Sequence, residues 1–367
     1  MNLGLFMNPV HPLAKSWTDT LREDRAAVIL ADRLGYSDAF IGEHLTDKAE
    51  NITSSAMFLA SLASETTTIR LGTGTANLSH MHPVLTAAHI AMLDHLLEGR
   101  LNFAISPGVL PSDAEALGLL DADRRAMFAE AIDAILAIWA GEAPYDIEGT
   151  YWKISTARSL RPALGVGYLT KPYQAPHPPI FGAVIDPSSK GLVKLAERGW
   201  KAISSNLLPQ RWLAGHWPSF AEGRALANLP ADPEDWYVAR SIFVADDEKT
   251  ARAYGIESPQ SPYRFYYQWI TSKSLAGGRG GVWKRDPGDP DSSITIDSIL
   301  DQAMIVGTPA HVTEQILALI EEVGIFGTLV YVNPDWTDER LGRRSMELMA
   351  TKVMPAVNDA LKAKAAE

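Results

Sequence analysis

The fold is decided in the first 44 residues, MNLGLFMNPVHPLAKSWTDTLREDRAAVILADRLGYSDAFIGEH. Residues 3–7 are short, apolar and stopped by Asn8-Pro9, which reads as a buried strand. Ser16 with Asp19 opens a helix, and Ala27, Val28, Ala31 and Leu34 share one face of it before Gly35 ends it. Residues 38–42 form a second apolar run ahead of Glu43-His44. Two strands with no polar alternation, joined by a helix, are the unit of a parallel sheet whose two faces are both covered.

That unit recurs along the chain. Strands are expected at 69–76, 101–106, 180–184, 202–205, 237–245 and 328–333. Helices alternate with them. One is opened by Pro83 at a first helical position, and another carries Phe128, Ile132, Ile135 and Trp139 on one face. About eight strands, each followed by a helix, predict an α/β fold, a (β/α)8 TIM barrel, with residues 1–367 as one domain. A doubly wound sheet is the alternative. Two stretches break the rhythm: 141–178, with Tyr145, Tyr151 and Trp152, and 257–292, rich in Pro and Gly. The second reads as an irregular insertion or lid.

Composition narrows the chemistry. The chain has 33 Lys+Arg against 44 Asp+Glu, a net charge of −11, which disfavours nucleic acid as a partner. It has no cysteine, which excludes disulfides, thiolate nucleophiles, iron–sulfur clusters and cysteine-ligated zinc. No apolar run reaches membrane-spanning length and the start has no basic n-region, so neither a membrane nor a signal peptide is expected, and the location is read as cytoplasmic. There is no nucleophile elbow, dinucleotide fingerprint or Walker loop.

In such a barrel the active site lies at the C-terminal strand ends. The residues there are Met7, Asn8 and His11; Glu43 and His44; Asn77, His80 and His82; Ser106, Pro107 and Gly108; Asp186 to Gly191; and Ser204, Ser205 and Asn206. The turn Asp186-Pro187-Ser188-Ser189-Lys190-Gly191 opens a helix, whose first N–H groups and dipole make an anion site, though a plain N-cap satisfies the same sequence. His44 stands where a general acid or base would, with an ordinary loop histidine as the alternative. His80 and His82 lack a carboxylate at metal spacing, so no metal is expected. Trp152, Trp269 and Trp283 lie in irregular segments where a ligand could meet them.

Taken together, the blocks LGLFMNPVHP, YSDAFIGEH, IRLGTGTANLSHMHPV, LDHLLEGRLNFAISPGVLPSDAEALG, PHPPIFGAVIDPSS and GTLVYVNPDWTDERLGRRSMELMATKVMP resemble the bacterial luciferase-like flavin-dependent monooxygenases, in the limonene monooxygenase-like subgroup. The resemblance implies a TIM barrel with a mobile later loop. It also implies reduced FMN from a separate reductase, a flavin C4a-hydroperoxide formed with dioxygen, and a small apolar substrate such as a terpenoid, ketone or aldehyde. His44 then matches a histidine beside the flavin ring that serves in proton transfer. Gly74-Thr75 matches a non-proline cis peptide beneath the ring, and Phe6, Asn8, Ser204 and Ser205 match ring-contacting strand ends. Asp186, Ser188 and Ser189 match the phosphate turn. Ser106 stands where luciferase has a reactive cysteine, and Pro107 where it has an arginine near the phosphate. Asn77, His80, Trp152, Trp269 and Trp283 are candidates for the substrate or lid, and a homodimer is implied. A deazaflavin-dependent oxidoreductase on the same barrel, or a non-catalytic flavin-binding subunit, are the alternatives.

Overall fold

A computed structural model describes residues 1–187, 190–332 and 334–366. Eight parallel strands, numbered here in chain order, form a closed barrel: β1 (Asn2–Met7), β2 (Asp38–Ile41), β3 (Arg70–Thr73), β4 (Leu101–Ser106), β5 (Ile180–Val184), β6 (Lys201–Ser204), β7 (Trp236–Val244) and β8 (Thr328–Val332). Consecutive strands pair, and closure runs through β8, with Phe6 opposite Val332 on one side and Val238 opposite Leu329 on the other. The expected barrel is therefore the observed one, and the doubly wound sheet is excluded.

Side-chain alternation along each strand divides the core in two. Leu5, Ile41, Leu71, Phe103 and Leu329 point outward into the layer between barrel and helices. Phe40, Phe181 and Tyr237 point inward and plug the barrel floor, with ring centroids 5.1 to 6.2 Å apart. Each such ring contributes about 1.5–3 kcal/mol relative to leaving it in water. Gly72 belongs to this floor, since a Cβ there would stand 2.5 Å from the Phe40 ring.

The helices begin where local chemistry says they should. In α1 (Trp17–Arg33) the Ser16 hydroxyl accepts from the Asp19 amide at 3.2 Å. In α2 (Ser55–Ala60) Ser54 does the same for Met57. In α3 (Pro83–Leu96) proline occupies the first turn and His82 caps it, and α4 (Arg124–Ala140) starts behind Asp123. The outer layer continues with α5 (Lys190–Glu197) and α6 (His216–Leu226).

The insertion at 257–292 departs from the irregular reading over 15 of its residues. It carries α7 (Pro262–Ala276), with Ser261 as N-cap and Pro262 in the first turn. Proline there satisfies the helix start instead of breaking it. Tyr263, Tyr266 and Tyr267 of α7 are all buried against the barrel, and the Tyr263 hydroxyl donates to the Ile242 carbonyl at 2.6 Å.

Candidate active site

Helix α7 crosses only part of the barrel mouth. Over the ends of β6, β7 and β1 its tyrosines close a polar network. Asn8 Nδ2 donates to Tyr266 Oη at 3.0 Å, and Asn206 Nδ2 donates to Tyr266 Oη at 3.1 Å and to Ser241 Oγ at 3.1 Å. Ser241 and Tyr267 share a bond of 2.9 Å. Above β3 to β5 the mouth is open. Ala183 faces inward, opposite Ile203, yet is exposed although Gly182 and Val184 on either side are buried. Thr75, Asn77, Ser106 and Ser205 around it are half-buried, as is Phe6, which stacks on Phe40 at 6.4 Å.

The rim of this opening is pre-wired. The peptide Gly74–Thr75 is cis. Thr75 Oγ1 donates to Ser106 Oγ at 2.8 Å, and Ser106 Oγ donates to Asn77 Oδ1 at 2.8 Å while accepting from the Gly108 amide at 3.2 Å. Gly108 has φ of +76°, and a Cβ there would stand 2.5 Å from His80 Nε2, so the residue must be glycine on both counts. His80 Nε2 is itself buried without a hydrogen-bond partner, and burial lowers the His80 pKa.

His44 has the opposite environment. Its amide bonds to the Ile52 carbonyl at 3.1 Å, and its Nδ1 lies 2.6 Å from Glu50 Oε2, a carboxylate only 1% exposed. Burial disfavours the imidazolium, but the hydrogen bond and charge of Glu50, helped by Asp113, outweigh burial and the opposing Lys273, so the His44 pKa is raised. The two histidines therefore have pKa values shifted in opposite directions by their surroundings. Glu43, beside His44, serves the frame: it accepts from the Ser55 amide at 2.8 Å and hydroxyl at 2.7 Å, and burial pushes its pKa up. Asp113 fixes the same loop, accepting from the Thr46 backbone amide at 2.9 Å and from the Thr46 hydroxyl at 2.6 Å.

Not every expected residue joins the opening. Ser204 is a correction: it is fully buried on the outer side of β6, its hydroxyl 2.8 Å from His216 Nδ1 and accepting from Trp236 Nε1 at 2.8 Å. The two-residue period of the strand leaves Ser205, not Ser204, on the mouth side. Trp283 is also buried, edge-on to Tyr267 beneath α7, and is a core residue. Trp152 packs on His82 at 5.4 Å beside the start of α3, and Trp269 donates to Asp47 at 2.9 Å. Ser188 and Ser189 lie outside the described residues. Asp186 is exposed and, with Pro187, Arg211, Lys284 and Arg285, lines a cavity of about 510 Å³ at the entry to α5.

The residues missed by sequence reading are Glu50, Asp47, Asp113 and Lys273. Lys273 stands 223 positions from Glu50, and no periodicity joins a loop carboxylate to a lid lysine across that separation. A second missed cluster lies behind β1. His11 is bonded through Nδ1 to Asp335 at 2.8 Å and through Nε2 to Asp24 at 3.1 Å, and Lys15 bridges Asp335 and Glu23.

The open half-mouth has an apolar floor and a rim of neutral hydroxyl and amide groups, and Arg211, Lys284 and Arg285 lie beside the Asp186 turn. Residues 1–326 match the luciferase-like monooxygenase family. Limonene 1,2-monooxygenase of Rhodococcus erythropolis is 30% identical over 98% of this chain and 87% of its own length. The 4-hydroxyprotoasukamycin monooxygenase of Streptomyces nodosus subsp. asukaensis is 28% identical over 98% of this chain and 93% of its own. Among solved structures, the oxygenating constituent of 3,6-diketocamphane monooxygenase from Pseudomonas putida, a type II Baeyer–Villiger monooxygenase in complex with FMN, superposes with a TM-score of 0.85 at 25% identity, covering 97% of this chain and 98% of that one. The chain belongs to the luciferase-like monooxygenase family.

Proposed function

We propose that this chain is the oxygenase of a two-component flavin-dependent monooxygenase, which takes reduced FMN from a separate reductase and uses dioxygen to oxygenate a small apolar substrate of the terpenoid, ketone or aldehyde kind. The observation that carries this reading is the half-open barrel mouth, where inward-facing Ala183 is exposed beside Thr75, Ser106 and Ser205 while α7 seals the other half. Reduced FMN, when bound, supplies the electrons that activate dioxygen.

The chain's own residues do the rest. Phe6 and the Gly74–Thr75 peptide offer a surface for the ring, and Asn8, Asn77, Ser106 and Ser205 offer hydrogen bonds to its edge. The first turn at Asp186, with the hydroxyls of Ser188 and Ser189, is the proposed phosphate holder, and Arg211 and Lys284 at the adjoining cavity replace the arginine that Pro107 displaces. His44, with Nδ1 engaged by Glu50, holds or releases a proton at Nε2. The α7 tyrosines and Trp269 exclude water from the closed side of the mouth. Asn77, His80 and Trp152 are proposed to meet the substrate from the rim.

Two further expectations stand as proposals. A homodimer would cover Leu85, Met92 and Leu96, which are 50%, 56% and 49% exposed along α3, together with Met57 of α2 at 76%. No helix among the described residues is long and apolar enough to cross a membrane, and the cytoplasm is the proposed location.

The test supplies reduced FMN through a free-standing reductase, with 18O-labelled dioxygen and a panel of cyclic alkenes, ketones and aldehydes. One labelled oxygen atom in product is expected. If reduced FMN shows no saturable binding while a reduced deazaflavin does, or if all oxygen consumed appears as hydrogen peroxide with every substrate, the reading fails.

A further inference from the structure

The chain of charge behind His44 leads out of the site. Glu50 turns Oε2 to His44 Nδ1 at 2.6 Å and Oε1 to Lys273 Nζ at 2.8 Å, so one buried carboxylate joins a barrel-loop histidine to the lid helix. Lys273 also pairs with Asp47, which accepts from Trp269 Nε1 one helical turn earlier on α7. A carboxylate that accepts from Nδ1 fixes the Nδ1–H tautomer, and His44 Nε2, which has no bond to any described residue, becomes the nitrogen left for chemistry.

We propose that Glu50 is a positioning residue for His44, and that Lys273 makes the proton affinity of His44 depend on the docking of α7. This rests on the reading of His44 as the proton-transferring group. Charged and titratable groups facing His44 come from three other directions: Glu43 adjoins it on β2's exit, Asp113 reaches it from the helix Pro111–Ala116, and His80 from the loop before α3. Of the cations, Lys273 is the one carried by the lid. With α7 docked, Lys273 shares the Glu50 charge and eases the proton off His44. With α7 lifted, Glu50 serves His44 alone and the imidazolium gains.

Two charge-only variants separate the contributions. Glu50→Gln can still accept from Nδ1 but carries no charge, and Lys273→Gln can still donate to Glu50 and Asp47. His44 is titrated by 15N NMR in the flavin-free protein, where the outcome does not depend on whether flavin binds. The neutral wild-type ring is expected as the Nδ1–H tautomer. The His44 pKa is expected to fall by about 1–3 units in Glu50→Gln and to rise in Lys273→Gln. An Nε2–H tautomer in the wild type, or shifts of the same sign in both variants, overturns the proposal, and Lys273→Met replaces Lys273→Gln if that variant does not fold. The pH profile of substrate oxygenation, measured alongside, should move in the same two directions. If the titration moves as stated while the profile does not, the relay stands and the assigned role of His44 falls.

Discussion

Replacing His11 by glutamine tests the buried cluster behind β1 directly. His11 is 4% exposed and lies between Asp24 at 3.1 Å and Asp335 at 2.8 Å. Burial alone would lower its pKa, but the two carboxylates win and raise it from 6.5 to about 10. That rise corresponds to a preference of the folded state for the protonated ring of roughly 5 kcal/mol, taken as an upper bound. Because the folded pKa is the higher one, the stabilisation is fully present below pH 6.5 and is lost as pH climbs through about 10, at a slope of about 1.4 kcal/mol per pH unit. Glutamine carries no proton in this window and leaves one carboxylate poorly served, so His11→Gln should cost about 3–5 kcal/mol at pH 6.5. Urea unfolding followed by tryptophan fluorescence at several pH values from 6 to 10 measures both proteins. The gap between them should narrow steadily with pH. A gap that stays constant over the whole range refutes the reasoning, as does an NMR titration showing the folded wild-type ring neutral at pH 8.

Three further outcomes are expected. Asp32 gathers the amides of Thr67, Thr68 and Ile69 at 2.8 to 2.9 Å, which holds its pKa down at about 2. Its contribution is present above the ordinary carboxylate range and lost as pH falls through about 2, and Asp32→Ala should cost about 1–3 kcal/mol at neutral pH by chemical unfolding. Tyr266→Phe removes the oxygen that receives Asn8 and Asn206, which costs about 1–3 kcal/mol in unmet buried donors, so proteolysis within 257–292 should quicken about 5- to 150-fold with α7 less firmly seated. Met92→Glu puts a charge into the exposed stripe of α3 and should convert the proposed homodimer to monomer by light scattering, leaving the circular dichroism spectrum unchanged.

The barrel was legible because its signals are local. Apolar runs such as 101–106 and 180–184 coincide with β4 and β5 residue for residue, and Ser16 and Pro83 mark the helix starts that they were read to mark. Strand ends carried the reading of the rim: Thr75, Ser106 and Asn77, taken from two different strand ends, are joined by hydrogen bonds. Reading failed where direction depended on register. Ser204 and Ser205 are chemically alike and adjacent, and only the pleat of β6 decides that one serves His216 and the other the opening. It failed again at α7, where prolines were taken as breaks although Pro262 occupies the one helical position that costs no hydrogen bond.

By itself the sequence determined the repeated strand–helix unit, the closed barrel and the set of polar strand ends, because hydrophobic period and capping act over a few residues. The tertiary structure alone decided which of those ends work together. Lys273 meets Glu50, the partner of His44, across 223 positions, Tyr266 ties Asn8 to Asn206, and Ala183 stands exposed between the buried Gly182 and Val184. Contacts of that kind depend on how the chain closes on itself, and a pairing between distant loops leaves no period in the sequence to be read.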